Sequence, residues 1–169
     1  ASSLVQGIEY YRHASAEPGV EQPGLMHYDL GGYLPHDLEI VCAFDIDRRK
    51  VGEPLHRALF AKPNKAVDIW RNLPDLGVTV EMGPILDGVS EHMADYPDDE
   101  TFLPSDRPAV DVAKILKATG TEVLISYLPV GSQQAAEHYA QACLDTGTSL
   151  INCMPVFIIS DPTWGERFA

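Results

Sequence analysis

Asp45 and Asp47 close a short apolar run, Ile40-Val41-Cys42-Ala43-Phe44, and are the first residues whose placement suggests chemistry. A carboxylate ending the second strand of a dinucleotide fold accepts hydrogen bonds from the adenosine ribose hydroxyls. One of the two acids suits that role and the other suits capping the segment that follows. An acid there also repels a 2′-phosphate, which favours NAD over NADP, although Arg48 and Arg49 work against that preference. Tyr127, Pro129, Gly131 and Ser132 follow a second apolar run. Gly131 lets the backbone approach a ligand without an intervening Cβ. Ser132 opens a helix whose dipole and free N–H groups favour an anion, or it caps an ordinary turn. Tyr127 is either a core aromatic or a wall of a nicotinamide pocket. Residues 83–88 and 152–155, the latter beginning at Asn152, end two further runs. Each of the four groups alone reads as a turn; their shared place beyond strand ends marks a site, because open parallel sheets bind ligands there.

The elements that must hold these residues alternate. Leu4, Ile8 and Tyr11 recur at helical spacing, so the chain opens within or just before a helix. Residues 15–37, rich in Pro and Gly, read as a long excursion. Residues 40–44 form a continuous apolar strand of the kind buried on both faces, followed by a basic, helix-favouring segment from Arg48. Residues 78–80 are a weaker strand. Residues 110–118 read as a helix stopped by Gly120, 123–128 as the clearest strand, and 133–145 as a helix with Ser132 as N-cap and Gly147 as stop. Residues 149–153 form another strand, and Ser160-Asp161-Pro162 opens a last helix. The acidic stretch 95–106 reads as a solvated loop. This order predicts an α/β fold in which the three main apolar runs are parallel strands of one sheet, with helices on both faces.

The 169 residues suit one domain and carry 25 acidic against 12 basic side chains, a formal net charge of −13. That field repels nucleic acid and anionic lipid, so neither is expected as a partner, yet a phosphorylated small ligand can still be held by local N–H groups. No apolar run approaches the ~20 residues needed to cross a bilayer. Cys42, Cys143 and Cys153 are odd in number and form no CxxC pair, which predicts buried free thiols and a cytoplasmic setting. The six histidines lack HxH or HxxxH spacing, so no metal site is expected. No GxGxxG loop follows a strand anywhere in the chain. A dinucleotide fold would therefore have its first strand and glycine loop before Ala1, and the chain is expected to be a domain cut at both ends.

Several blocks resemble the bacterial and archaeal inositol-phosphate synthases. Residues 1–11 are similar to the helix that follows the glycine loop in that family. The likeness continues through Gly24-Leu25-Met26-His27, Ala43-Phe44-Asp45-Ile46-Asp47 and Gly83-Pro84-Ile85-Leu86-Asp87-Gly88. It is strongest at Ser126-Tyr127-Leu128-Pro129-Val130-Gly131-Ser132, Tyr139-Ala140-Gln141-Ala142-Cys143 and Pro155-Val156-Phe157-Ile158-Ile159-Ser160-Asp161-Pro162. The resemblance implies a Rossmann-type domain of an NAD-dependent isomerase acting on glucose 6-phosphate. In such enzymes NAD oxidises carbon 5, an internal aldol step closes the ring, and the same NADH reduces the inosose. It further implies a homotetramer and a second α+β domain carrying the phosphate-binding lysines, outside this chain, so that residues 1–169 alone are expected to be inactive.

The candidate cofactor contacts are then Ser2, Asp45, Asp47, Ala118, Tyr127, Pro129, Gly131, Ser132, Tyr139 and Asn152, of which Ala118 and Tyr139 are implied by the resemblance rather than by strand-end placement. An acid expected by the family pattern is replaced here by Pro54. Ala118 ends a helix that leads into a strand, on the wrong side of a parallel sheet for a ligand, and Tyr139 lies well inside a helix. Two other readings stay open: a related Rossmann enzyme acting on another sugar phosphate, and a non-catalytic NAD-binding or assembly module.

Overall fold

The computed structural model describes residues 1–14 and 24–169. The start of the Pro/Gly-rich excursion, with Pro18-Gly19 and Pro23, lies outside the described residues. Among the described residues four strands form, in two parallel pairs. β1 (Ala43–Asp45) pairs with β2 (Val80–Met82), and β3 (Val123–Ser126) pairs with β4 (Ser149–Asn152). Around them run α1 (Ser2–His13), α2 (Leu55–Ala58), α3 (Val112–Thr119), α4 (Gln133–Thr146) and α5 (Pro162–Phe168).

Alternation along β1 explains the two helical layers. Ala43 faces α1, α2 and β2, packing on Val5, Leu55, Ala58, Leu59, Val78 and Val80. Cys42 and Phe44 point the other way, onto Val112, Leu116, Tyr139 and Cys143 of α3 and α4. Successive strand side chains leave on opposite faces, so one apolar run serves two cores. A third cluster, Ala136, Ala140, Val156 and Ile158, seats the last turn of chain and α5 against α4.

The helix ends follow local chemistry. Asp111 caps α3 through the N–H of Lys114 at 3.0 Å, and Asp161 caps α5 through Thr163 at 2.8 Å with Pro162 in the first turn. Gly120 (φ 63°) and Gly147 (φ 72°) stop α3 and α4 in the left-handed conformation that other residues adopt at a cost.

Four sequence expectations are corrected. The strands do not form one sheet: β1–β2 and β3–β4 are separate two-stranded ladders. A cleft runs between β1 and β3, lined by both along their length, so each has its inner edge unpaired with the other. The helix expected from Arg48 is a turn over residues 48–52, because Gly52 sits at φ 85° and Pro54 removes a donor, leaving only the single turn of α2. The acidic stretch is largely exposed, but its end is anchored: Thr101 is buried and Leu103 donates to Asp47. Cys143 is buried and Cys42 half-buried, whereas Cys153, expected inside, is exposed just after β4. Among the described residues no helix is long and apolar enough to cross a membrane.

Candidate functional site

The cleft between the two ladders has a volume of about 450 Å³. Its floor is the inner edges of β1 and β3. Its mouth is made where those strands end: Asp45 and Ile46 at the end of β1, Pro84, Ile85 and Gly88 after β2, Tyr127 to Pro129 after β3, and Ala1 and Ser2 at the start of α1. Parallel strands direct all their carboxyl ends to one rim, which is why residues from four distant stretches meet here.

The two candidate acids separate sharply. Asp47 has no exposed surface and spends both oxygens internally. Oδ1 accepts from the Arg49 N–H and Nε at 2.9 and 2.8 Å; Oδ2 accepts from an Arg49 terminal nitrogen at 2.6 Å and from the Leu103 N–H at 2.9 Å. Burial pushes this carboxyl up, but the Arg49 guanidinium and the N–H groups outweigh it and hold the group below its ordinary range. Asp45 has one oxygen tied to the N–H groups of Ile46 and Asp47 (2.7 and 2.9 Å), while the other pairs with Lys50 at 3.2 Å and remains part-exposed at the mouth. Of the two, Asp45 has an oxygen accessible to a ligand, and Asp47 acts as the turn cap.

On the opposite side of the mouth Tyr127 is 45 % exposed and Pro129 lines the cleft. Desolvation, then the neighbouring Cys153, pushes the Tyr127 phenol up. Gly131 has φ 91° and open space where a Cβ would stand. Ser132 is buried and precedes α4, but its side chain makes no cap bond and its Oγ has no partner; the same holds for the Oγ of buried Ser126 at the end of β3. Ser2 lines the mouth and accepts from the Gln6 amide at 3.0 Å. Asn152 turns its side chain inward, bonding Val156 and Met154 at 2.8 and 3.1 Å, so it shapes the turn after β4.

Tyr139 is buried on α4, in tilted contact with Phe44 at 5.8 Å between ring centroids, and its hydroxyl reaches the backbone of Gly83. Burial, with Asp45 and Cys42 adding, drives its phenol well above the ordinary range. It lines the cleft from α4, beside the end of β2. Ala118 is exposed near the end of α3, at the amino end of β3, and does not line the cleft. Pro54 bridges Thr79 beside β2, also away from the mouth. The structure thus brings Ser2, Asp45, Tyr127 and Pro129 together, with Gly131 and Ser132 directly behind, and leaves Ala118 apart.

Asp87 lies in the strand-end group 83–88, but its role is set by a distant contact. The first-turn N–H groups of α4 are capped by Asp87, from the loop after β2, through Gln134 at 2.8 Å and Ala135 at 2.9 Å. Sequence reading gave the cap to Ser132 because capping by a residue 47 positions away leaves no local pattern. The placement of Ser126 and Lys50 on the cleft likewise depends on stretches far apart in the chain.

No family model matches the chain. Individual proteins do. It is 46 % identical over 168 residues to inositol-3-phosphate synthase of Mycolicibacterium smegmatis and equally to that of Mycobacterium tuberculosis. The synthase of Corynebacterium glutamicum is 45 % identical over 168 residues. Each match takes in 99 % of this chain and 44 % of the relative, so the chain spans less than half the length of the curated relatives it matches. Among solved structures, the crystal structure of Ari2 superimposes with a TM-score of 0.77 at 34 % identity, over 99 % of this chain and 46 % of that one. The parallel strands, the helices on both faces and this likeness make the fold Rossmann-like. Matched from end to end at such identity, the chain is similar to inositol-3-phosphate synthases over a stretch that makes up 44 % of their length.

Proposed function

We propose that the parent protein is an NAD-dependent isomerase that converts glucose 6-phosphate to a myo-inositol phosphate, and that this chain is part of its cofactor domain. The observation that carries the reading is 46 % identity along 99 % of the chain to proteins named inositol-3-phosphate synthase. The strand order supports it. Read across the molecule the order is β2, β1, cleft, β3, β4, all parallel within their pairs. A parallel strand of the parent, leading into α1 at Ala1, would complete one sheet at the cleft and bring a phosphate-binding turn to the rim.

The residues at the mouth fit a dinucleotide. Asp45 offers a carboxylate oxygen to ribose hydroxyls, Gly131 leaves room for close approach, and Tyr127 and Pro129 supply a flat apolar wall. The unpartnered hydroxyls of Ser126 and Ser132 are polar atoms still in need of a partner. NAD, when bound, would take a hydride from the sugar and return it later, so that no net oxidation occurs. This chain's part is to orient the ribose and the ring and to exclude water between the two ladders. Phosphate binding and enolisation are assigned to a second domain of the parent, which assembles as a tetramer in the cytoplasm.

The test is turnover of glucose 6-phosphate by the full-length protein with NAD, followed by phosphorus NMR of the product. Formation of an inositol phosphate without accumulation of NADH is expected. Tight NAD binding with no turnover of this sugar would favour the related enzyme acting on another sugar phosphate.

A further inference from the structure

The start of α4 is closed to anions. Gln133 donates to Gly131 at 2.9 Å, Ser132 to Pro129 at 3.2 Å, and Gln134 and Ala135 to the Asp87 carboxylate. A full negative charge therefore sits where the positive end of a 14-residue helix would otherwise attract phosphate. The N–H groups hold that carboxyl ionised against the cost of its desolvation. Beside it lie Gly131, open at φ 91°, and Ser132, whose buried Oγ has no partner. The loop bearing Asp87 lines the mouth at Pro84, Ile85 and Gly88, and Ala135 lines it from the helix.

We propose that Asp87 is a positioning and charge-selecting residue of the cofactor site. It fixes the α4 corner as the place of the nicotinamide ring rather than of phosphate, and it favours the cationic oxidised ring over the neutral reduced one. The inference rests on the NAD reading above and deepens it. Oxidised and reduced cofactor share the adenosine, both riboses and the pyrophosphate, and differ in the ring's charge. A fixed carboxylate near the ring therefore separates them by Coulomb energy alone.

The experiment measures binding of NAD⁺, NADH and ADP-ribose by calorimetry on the full-length protein, as wild type, Asp87→Asn and Asp87→Glu. Asp87→Asn is expected to weaken NAD⁺ relative to NADH by roughly three- to ten-fold, the scale of one charge acting through a partly solvated site. ADP-ribose, which has no ring, should be unaffected, and Asp87→Glu should move the ratio back toward wild type. Equal weakening of all three ligands, or an unchanged NAD⁺ to NADH ratio, would overturn the inference and leave Asp87 a helix cap. A wild-type protein that binds none of the three would instead overturn the cofactor reading beneath it.

Discussion

Both strand pairs rest on apolar cores, but the segments that follow them are fixed by different physics. Around β1 and β2 the turn that carries the candidate acids is fixed by charge: Asp47 is fully buried and ties Arg49 and Leu103 to the end of β1, while Asp45 pairs with Lys50. Around β3 and β4 the fixing is apolar, with Leu116, Val112, Ala140 and Cys143 at 1 % exposure or less and glycines in the left-handed conformation ending both helices. A buried ion pair holds a loop in one geometry but responds to acid; a packed helix pair does neither as sharply. The cleft lies where the two regimes meet, and the contacts that join them include Tyr139 against Phe44 and Gly83, and Asp87 against α4.

The strongest way to break the comparison is Asp47→Ala in the full-length protein. It removes the acceptor of the Leu103 N–H and the carboxylate partner of Arg49, which keeps only the Asp98 and Thr101 carbonyls, and a loss of about 3–5 kcal/mol is expected by denaturant titration. Since the folded carboxyl is held below its unfolded value, its contribution is complete above about pH 4 and fades as pH falls through the folded value. Wild type should thus lose stability on acidification below pH 4 more steeply than Asp47→Asn. Equal slopes would mean that charge does not hold this half.

Leu116→Ala tests the apolar half. A loss of about 2–4 kcal/mol is expected, with the same value at pH 5 and pH 8, because only packing is removed. A pH-dependent loss would blur the distinction drawn here. Gly83→Ala probes the seam: a new Cβ would overlap the Tyr139 hydroxyl, which buried surroundings keep from swinging away. About 1–3 kcal/mol should be lost, and the double variant Gly83→Ala with Tyr139→Phe should recover part of it. If the second change restores nothing, the hydroxyl is not what fills that space. The smallest effect expected is Asp161→Ala, about 1 kcal/mol, for removing the cap on Thr163.

Thiol chemistry sharpens the same contrast. Burial pushes the Cys143 thiol up to about 11, while Cys153 is exposed. Alkylation of the native protein followed by peptide mapping should label Cys153 and spare Cys143 until denaturant is added; early labelling of Cys143 would show the α4 core to be loose.

The sequence by itself determined the local elements and their order. The apolar runs at 40–44, 123–128 and 149–153 and the stops at Gly120 and Gly147 are periodicity and backbone chemistry, legible within a window of a dozen residues. The same holds for the cap at Asp161-Pro162 and for the rule that candidate residues lie past strand ends. What only tertiary structure decided are the facts that depend on distant partners. Asp47 rather than Asp45 is buried because Leu103 and Arg49 meet it there. The α4 start belongs to Asp87 and not to Ser132, since a carboxylate arriving from the β2 loop satisfies two N–H groups at once. The ladders stand apart across a cleft because pairing is a property of neighbouring strands in space, which apolar patterning along one chain does not encode.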